Sequence, residues 1–454
     1  MQPILSSEQM RAADAAAGAT LAPDRLVHLA GTAVALEAQR LLGSCYGRRV
    51  AALAGPGLNG TDGRIAAAWL AARGARVDVI EWDHAPEELV GYDLVIDAAF
   101  GLGCSRPYHA PTTSPATKVL AVDLPSGVDA DTGAVLGSPI RATTTLALGA
   151  YKPAHLIGPA SSLTGELRLA ALGIVTTYED GLVDDDDLVT FLRGEPDDHK
   201  WTHALQAFVG STLMPGAAEL VLRGALAGGA SMIRLVSRGD VAASVTLPPE
   251  VVHASESTVD PRSRCVVAGP GLGAGAVDWL REVMTGLSGP LVLDADGLDR
   301  AFIDERSPRD GSWVITPHDG EFARLVGHAP GANRFEEVRA LARATGCVVL
   351  LKGPVTIIAR PTGELRVVNS GTASLATAGT GDVLAGLIGA TVARGHDPFD
   401  AAALGAHLHG RAGARLAPYA HASQVVAQIS AIIAALGRGE VSTGSAPARR
   451  ATPR

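Results

Sequence analysis

A single acidic residue interrupts a stretch of small and apolar residues. Asp382 lies in "LATAGTGDVLAGLIGA", residues 375–390, after a turn of small residues and before an apolar run. Small residues let backbone N–H groups approach an anion, and the positive end of the following helix adds to the attraction. A carboxylate beside such a phosphate pocket can accept the proton of a substrate hydroxyl during phosphoryl transfer. The pattern also fits a helix N-cap, for which Asp is favoured.

Three further turns in this half of the chain carry polar residues. "VITPHDGEFARL" contains His318 and Glu321, "LLKGPVTII" contains Lys352 and Thr356, and "VVNSGTASLATAGTGD" contains Asn369. Each residue by itself also fits a structural role at a strand end. The chain has no Gly-x4-Gly-Lys-Ser/Thr pattern, so the turns together indicate another kind of nucleotide pocket.

The elements that must position these turns follow an alternating pattern. In the second half, "CVVAGPGLG", "PLVLDADGL", "WVITPH" and "CVVLLKG" predict strands, while 376–395 and 400–417 predict helices. In the first half, "RRVAALAGPG", "RVDVIEW", "YDLVIDAAFG" and "KVLAVDLPSG" predict strands, and 63–75 predicts a helix. The alternation predicts mostly parallel sheets covered by helices. Ligands of such sheets bind outside the carboxyl ends of the strands, where the polar turns lie.

An acidic stretch separates the two halves. Residues 178–200, "YEDGLVDDDDLVTFLRGEPDDHK", include Pro196 and four consecutive acids at 184–187. These acids fit a solvated linker or a helix N-terminus, and a metal site is the alternative. We therefore predict a first domain at 1–180, an acidic linker at 181–198, a second domain at 199–437 and a disordered tail at 438–454.

Composition limits the class of protein. With 454 residues, 47% hydrophobic and 19% charged, the chain can bury two cores. A net charge of −9 disfavours a general nucleic-acid binder. The four cysteines form no CxxC pair, which predicts reduced thiols, and neither a signal peptide nor a membrane span is apparent. We expect a soluble cytoplasmic protein that forms a homo-oligomer and binds neither nucleic acid nor membrane.

Lysine is rare in this chain, so each lysine is a candidate for a specific role. Arginine supplies most of the positive charge, and a chance surface position is the alternative at every lysine. The lysines are Lys118, Lys152, Lys200 and Lys352.

Residues 199–437 resemble the ADP/ATP-dependent NAD(P)H-hydrate dehydratase family, which has a ribokinase-like α/β fold. The motifs "AGPGLG", "VLDADGL", "TPHDGE", "LKGPVT", "NSGTASLATAGTGDVLAG" and "HLHGRAG" occur in the family's order. The resemblance implies that Asp382 is the catalytic base and that Mg²⁺ accompanies ADP or ATP. The hydrate-binding residues that it implies are Ala218, Gly271, His318 and Asp382. The nucleotide-binding residues that it implies are Lys352, Gly353, Pro354, Val355, Thr356 and Gly381.

The first half resembles the NAD(P)H-hydrate epimerase family, which has a Rossmann-like three-layer α/β fold. "GPGLNGTDG", "VIDAAFGLG", "AVDLPSGVDADTG" and "YKPAHLIGPA" occur in the family's order. The resemblance implies that Asp123 is catalytic and faces the hydrate carbon whose configuration inverts. It also implies a K⁺ ion on Asn59, Asp97 and Ser126, whose oxygen atoms suit a hard cation. The implied substrate-binding residues are Leu58, Asn59, Gly60, Thr61, Asp62, Gly101, Leu102, Gly103, Cys104, Ser105, Arg106, Pro107 and Asp123.

Some positions depart from the patterns of the two families. Ala378 replaces a glycine before the acid of the dehydratase motif, and Trp201 replaces a glycine after "HK". In the epimerase loop, Leu58 replaces an asparagine and Thr61 a glycine. An acid–Asn pair of that family appears here as "HL" at 28–29. An epimerase-like domain that binds without turnover is therefore an alternative for the first half.

The two resemblances together cover residues 1–437 and match the arrangement of the bifunctional NAD(P)H-hydrate repair enzymes. They imply epimerisation of the R and S hydrates of NADH or NADPH in the first half. They imply ADP- or ATP-dependent dehydration of the S hydrate in the second half. The alternatives are a ribokinase-like small-molecule kinase, which stops after phosphoryl transfer, and a non-catalytic cofactor-binding protein.

Overall fold

The computed structural model describes residues 1–20, 24–175, 177–192, 197–254, 258–284, 286–418 and 420–440. The chain divides between Glu179 and Asp180 into two compact units, and Met1 belongs to the second unit. Both units are α/β, as the sequence predicts. The tail predicted to be disordered, 438–454, lies outside the described residues from 441 onward.

A parallel sheet forms the centre of the first unit. Its strands run in the order β6-β5-β4-β3-β1-β2, and every neighbouring pair is parallel. The strands are β1 (Arg49–Ala54), β2 (Arg76–Glu81), β3 (Leu94–Ala98), β4 (Lys118–Val122), β5 (Thr144–Leu148) and β6 (Glu166–Ala170). The polar turns after β1, β3, β4 and β5 therefore meet at one edge of the sheet.

Three helices belong to the described part of the first unit: α1 (Ser7–Thr20), α2 (Arg25–Leu42) and α3 (Leu58–Ala71). Helices α2 and α3 bury Val34 and Leu70 against Val50 and Ile96 on one face of the sheet. On the other face, Leu53 and its neighbours pack against side chains from connecting segments. Both faces of the inner strands β1, β3, β4 and β5 are buried, which explains their nearly continuous apolar sequence.

The second unit is built around a longer sheet. Its strands run in the order β7-β16-β15-β14-β13-β12-β11-β8-β9-β10. Only the pairs β14–β15 and β15–β16 are antiparallel among the pairings described in this unit. The strands are β7 (Gly181–Leu182), β8 (Ala204–Ser211), β9 (Met232–Arg238), β10 (Val251–His253), β11 (Cys265–Ala268), β12 (Leu291–Leu293), β13 (Trp313–Ile315), β14 (Val348–Leu351), β15 (Thr356–Ala359) and β16 (Leu365–Val368).

Helices cover this sheet and connect its strands. They are α4 (Pro215–Ala227), α5 (Ala276–Val283), α6 (Arg300–Arg306), α7 (Asp319–Val326), α8 (Arg334–Thr345), α9 (Thr380–Ala393), α10 (Pro398–Ala414) and α11 (Ala422–Gly437). The small residues of α9 serve its packing. A Cβ at Gly386 would collide with the carbonyl oxygen of Val221, and one at Gly224 would collide with that of Val383. The close contact of α4 with α9 fixes the N-terminus of α9, which carries Asp382.

The segment predicted to be an acidic linker, 181–198, differs in the structure. Residues 181–182 form β7, and a 3-10 helix follows at Asp185–Leu192. One Asp185 carboxylate oxygen lies 3.0 Å from His407 Nε2, and the other lies 2.9 Å from Arg411. Asp180 pairs with Arg339. The described residues of this segment therefore belong to the second unit, because their acids pair with cations there instead of facing only solvent.

The described residues include four free thiols. Cys45, Cys104, Cys265 and Cys347 are all buried and free, as predicted for reduced thiols. No helix among the described residues is long and apolar enough to cross a membrane.

Candidate active sites

The N-terminus of α9 presents Asp382 in the first turn of the helix. The cap is Gly379, which has a φ of 86°, and a Cβ there would collide with the Leu220 side chain. Asp382 is the third helical residue, so it is not the N-cap. The N-cap role that the sequence also allowed for this acid is therefore excluded.

The surroundings of Asp382 change its acidity. Burial raises the pKa of Asp382 to about 7, and the negative charge of Asp294 adds to the effect. Lys352 acts in the opposite direction, while Asp296 and Glu321 raise the pKa further. A carboxyl group with a pKa near the working pH can exchange protons in both directions, as a general base must.

Lys352 joins the end of β14 to the other acids of this site. Its Nζ donates to Asp294 Oδ1 at 2.7 Å and lies 3.6 Å from Glu321 Oε2. Burial lowers the pKa of Lys352, but the two carboxylates outweigh burial and leave the pKa above its ordinary value. A Cβ at Gly381 would lie 3.7 Å from this Nζ. The structure thus places Lys352, Gly381 and Asp382 close together.

His318 caps helix α7 at the carboxyl end of β13. Its Nδ1 accepts from the backbone N–H groups of Gly320 and Glu321 at 3.0 and 3.3 Å. The backbone N–H of Lys352 donates to Pro317 O at 2.8 Å, so His318 is held beside the start of the Lys352 loop. Since Nδ1 is an acceptor, Nε2 is the nitrogen that donates, and it lies 3.5 Å from Glu321 Oε1, so a ligand would share this donor with Glu321.

Gly271 and Ala218 lie where small side chains are required. Gly271 has a φ of 68°, and a Cβ there would lie 2.5 Å from Ala217 Cβ and 2.9 Å from Met214 O. Ala218 is fully buried on α4, and a Cβ at Gly210 would approach its Cβ to 2.7 Å. The turns after β8 and β11 therefore meet closely, as the predicted hydrate site requires.

The predicted nucleotide loop, 352–356, connects β14 to the antiparallel β15. A Cβ at Gly353 would lie 3.5 Å from Arg334 Nη2, and Arg334 also pairs with Asp319 at 2.5 Å. Arg334 is a cation beside this loop that sequence reasoning missed. Its sequence context "NRFEEV" offers no signal, because only the fold brings α8 to the loop.

Two further residues of the second site were missed or undervalued from sequence. Asp294 is buried in "VLDADGL" and holds Lys352. His409 in "HLHGRAG" is buried, and burial lowers its pKa to about 4. Its Nε2 has no hydrogen-bond partner among the described residues. Both motifs were matched to the family, yet no role was predicted for either residue.

In the first unit, Asp123 occupies a strained position directly after β4. Its φ is 64°, which a non-glycine residue adopts only when its surroundings enforce it. Its Oδ1 accepts from the backbone N–H of Leu148 at 3.0 Å and from Lys152 Nζ. Lys152 is 1% exposed and also donates to Leu148 O at 2.7 Å. The rare lysine of "YKPAH" thus holds the predicted catalytic acid.

His155 completes this support. Its Nε2 lies 2.6 Å from Asp123 O, and its Nδ1 accepts from the backbone N–H of Lys152 at 2.9 Å. Burial lowers the pKa of His155 to about 4, so the ring is neutral near pH 7. Because Nδ1 accepts, Nε2 carries the proton and donates it to the Asp123 carbonyl.

The predicted potassium ligands lie around the carboxyl ends of β3 and β4. The backbone N–H of Ser126 donates to Asp97 Oδ2 at 2.9 Å, while Asp97 Oδ1 is buried without a partner among the described residues. Asn59 donates through Nδ2 to Val122 O at 2.9 Å. A Cβ at Gly101 would lie 3.0 Å from Asn59 Oδ1. Oxygen atoms suited to a hard cation are therefore close to both strands.

The other predicted epimerase residues occupy two loops. Leu58 begins α3 and is 69% exposed, whereas a Cβ at Gly60 would collide with Gly55 O. The loop at 101–107 is mostly exposed, apart from the buried Cys104. Asp62 is buried on α3, one helical turn after Leu58.

Two family models match the chain, one in each unit. Residues 206–435 match the family described as NAD(P)H-hydrate dehydratase. Residues 23–90 and 80–154 match the family described as YjeF-related protein N-terminus. A curated relative from Mycobacterium tuberculosis, named bifunctional NAD(P)H-hydrate repair enzyme Nnr, is 36% identical and is aligned over 89% of this chain and 92% of its own length.

The chain belongs to the family of bifunctional NAD(P)H-hydrate repair enzymes. Membership confirms the family inferred from the motifs and disfavours a kinase outside it. Among solved structures, a ribokinase-like protein from Enterococcus faecalis is 19% identical with a TM-score of 0.50, over 58% of this chain and 98% of its own. An ADP/ATP-dependent NAD(P)H-hydrate dehydratase from Bacillus subtilis is 26% identical with a TM-score of 0.49, over 57% and 98% respectively. The first of these supports the ribokinase-like fold of the second unit.

Proposed function

We propose that this chain repairs hydrated NADH and NADPH. The first unit interconverts the R and S hydrates, and the second uses ADP or ATP to dehydrate the S hydrate. The observation that carries the proposal is the placement of Asp382. Its carboxyl group, with a pKa raised to about 7, lies in the first turn of α9 near Lys352. A base and an anion-attracting helix end are thus side by side.

Dehydration follows from these groups. Asp382 accepts the hydroxyl proton while the terminal phosphoryl group of the nucleotide is transferred to the hydroxyl oxygen. The oxygen then leaves with the phosphate, the neighbouring ring carbon loses a proton to water, and the double bond forms again. Lys352 and the N–H of Gly381 attract the phosphate charge, and His318 donates from Nε2 to the hydrate. Phosphorylation is needed because hydroxide is a poor leaving group.

Magnesium would accompany the nucleotide. The carboxylates of Asp294 and Glu321 are oxygen ligands of the kind that Mg²⁺ accepts. No group of three His, Cys, Asp or Glu side chains in the described parts of the chain could hold a metal. The ion would therefore be bound mainly through the phosphates, whose charge it would neutralise.

For the first unit, Asp123 is the proposed base, and K⁺ would be held by Asn59, Asp97 and Ser126. The fit rests on Asp97 Oδ1, a buried oxygen without a described partner, and on the neighbouring Ser126 and Asn59 oxygens. A potassium ion would neutralise the buried Asp97 carboxylate, whose pKa is raised by burial.

One observation favours a weaker first unit. Leu58 is 69% exposed where the family has an asparagine, and a leucine cannot form hydrogen bonds with the substrate. A unit that binds the hydrates without interconverting them is the second candidate. A cytoplasmic location and a homo-oligomeric state stay predictions.

The test is to add a mixed R and S hydrate sample with Mg²⁺ and either ADP or ATP, and to follow recovery of the reduced ring. Full recovery with release of phosphate supports both activities. If only the S hydrate is recovered and the R hydrate disappears no faster than its uncatalysed epimerisation, the result supports a first unit that binds without catalysing. Retained phosphorylated hydrate would indicate a kinase and would overturn the proposed dehydration.

Potassium is tested separately by exchanging it for lithium. Lithium is smaller and more strongly hydrated, so it fits poorly among ligands arranged for a larger ion. We expect slower epimerisation in lithium and unchanged dehydration of pure S hydrate. Equal epimerisation rates in the two salts would contradict the proposed ion.

A further inference from the structure

The first unit contains a second buried acid whose surroundings differ from those of Asp123. Asp62, on α3, is 5% exposed, and its Oδ1 is buried without a hydrogen-bond partner among the described residues. Leaving an ionised carboxylate oxygen buried without a partner is costly. The cost falls if the group is protonated or if a ligand supplies the missing partner.

Asp123 pairs with a cation, whereas Asp62 Oδ1 has no partner among the described residues. Lys152 Nζ and the Leu148 N–H both donate to Asp123 Oδ1. Burial is the largest influence on the pKa of Asp62, followed by the negative charges of Asp123 and Asp14. Together these raise the pKa of Asp62 to about 7.

The other charged and titratable groups around the two acids come from helix α1 and from the segment after β5. Asp14 lies on α1, and burial raises its pKa, with Lys152 lowering it and Asp123 raising it. Lys152 and His155 follow β5, and His155 is neutral near pH 7. The one ammonium group of this set is already paired with Asp123. One carboxyl group paired with a cation and a second one whose pKa is raised by burial are the arrangement of an acid–base pair.

We propose that Asp62 is the proton donor of the epimerase half and works together with Asp123 as the base. The inference rests on the proposed epimerisation and deepens it. Both groups would act on the hydrate itself, since Asp62 Oδ1 is buried and lacks a partner among the described residues.

The step can be written with its atoms balanced. Water adds to an enamine with its hydroxyl on the carbon bonded to nitrogen, so the hydrate is a hemiaminal. Asp123 takes the hydroxyl proton, the carbon–oxygen bond becomes a carbonyl, and the carbon–nitrogen electron pair moves to nitrogen, which takes the Asp62 proton. Bond rotation exposes the other carbonyl face, and the reverse transfers close the ring with inverted configuration. Neither an oxidant nor a co-reactant is consumed.

The test measures epimerisation of pure R hydrate by the full chain from pH 5 to pH 9, after subtraction of the uncatalysed rate. We expect wild-type kcat/KM to fall above about pH 7, as Asp62 loses its proton. Asp62→Asn keeps the shape and a hydrogen-bond donor but cannot transfer a proton. Its kcat should fall by about 10²–10⁴ with little change in KM, and the alkaline fall should disappear from the remaining activity.

Asp14→Asn is the matched control. It removes one of the negative charges that raise the pKa of Asp62, so the alkaline fall should move to lower pH. The maximal rate should stay close to that of the wild type, because Asp14 donates no proton in this step. The melting curve of each variant, compared with that of the wild type, verifies that the first unit is folded.

Several outcomes overturn the inference. Wild-type rates in Asp62→Asn, or an unchanged alkaline fall in its profile, exclude Asp62 as the donor. If Asp62→Asn does not fold, a wild-type profile without a fall above about pH 7 excludes it. A wild-type chain that never converts R hydrate overturns the proposed epimerisation as well, whereas the other outcomes leave it standing.

Discussion

Lys352 Nζ donates a hydrogen bond to Asp294 Oδ1 over 2.7 Å, beside the first turn of α9. In this pair, the buried carboxylate of Asp294 neutralises the ammonium group of Lys352 in the nucleotide loop. Asp294 raises the pKa of Asp382 and Lys352 lowers it. Burial has the largest effect and brings this pKa to about 7. The local chemistry of the second unit depends on this balance.

The first prediction is that Asp382→Asn abolishes dehydration and retains the fold. Amide and carboxylate have nearly the same shape, so the change removes only the base. Loss of a general base lowers kcat by about 10²–10⁴. Asp296→Asn, which changes an exposed acid near the same site, is the control and should retain the plateau rate. Dehydration by Asp382→Asn at the wild-type rate would exclude Asp382 as the base.

The second prediction concerns the pH dependence of dehydration. A base must be deprotonated, so wild-type kcat should rise with pH through about 7. Asp296 raises the pKa of Asp382, hence Asp296→Asn should move this midpoint to lower pH. Lys352 lowers that pKa, so Lys352→Met should move the midpoint to higher pH, in addition to weakening nucleotide binding. Identical midpoints in all three proteins would contradict the electrostatic account.

The third prediction concerns stability. Folding raises the pKa of Asp382 from 3.8 to about 7, so the folded chain binds this proton more tightly than the unfolded chain. The resulting stability is fully present below about pH 4 and is lost as the pH rises through 7. An asparagine at this position does not ionise, so the variant does not lose this stability at high pH. Asp382→Asn should therefore melt above the wild type at pH 8, and the difference should narrow toward pH 4. A constant difference across this range would be inconsistent with the raised pKa.

The fourth prediction tests the close approach at Gly271. Gly271→Ala should raise KM for the S hydrate, because the new Cβ would press on Ala217 and Met214 O. Gly439→Ala is the matched control, since Gly439 has the same φ of 68°, with nothing within 4 Å of an added Cβ. Both variants bear left-handed backbone strain of about 1–2 kcal/mol. Equal KM values in the two variants would show that backbone strain alone accounts for the effect, and that the close approach at Gly271 does not influence hydrate binding.

The fifth prediction concerns the boundary between the units. A chain that begins at Asp180 should fold and dehydrate S hydrate, whereas one that begins at His199 should be less stable. The shorter chain lacks β7, the Asp180–Arg339 pair and the contacts of Asp185 with His407 and Arg411. Melting temperatures of the two chains are the measurement. Equal stability would mean that these contacts contribute nothing measurable.

Sequence reasoning succeeded where local pattern and chemistry agree. Alternating apolar runs and helical segments predicted two α/β units, and polar turns after strands predicted the site edges, because parallel strands place their carboxyl ends together. "TAGTGD" and "LKGPVT" indicated a helix end and a lysine loop that do lie together. The family followed from the order of the motifs.

Sequence reasoning failed where the deciding partner lies far along the chain. The acids at 184–187 were predicted to lie in a solvated linker or at a helix N-terminus, and a 3-10 helix does begin at Asp185. Nothing local reveals, however, that Asp185 meets His407 and Arg411. Arg334 likewise gives no local sign that it lies beside Gly353. Asp62 was predicted to bind substrate, but its burial without a partner became apparent only in the fold.

By itself, then, the sequence determined the order of strands and helices, the motifs of both units and the residue types available for chemistry. Those properties depend on neighbours in the chain, which spacing and side-chain type record directly. The tertiary structure decided which carboxyl group pairs with a cation and which is buried alone. Lys152 stabilises Asp123 and leaves Asp62 with a raised pKa, while Lys352 and Asp294 surround Asp382. Protonation depends on burial and on charges a few ångströms away, and these distances exist only once the chain has folded.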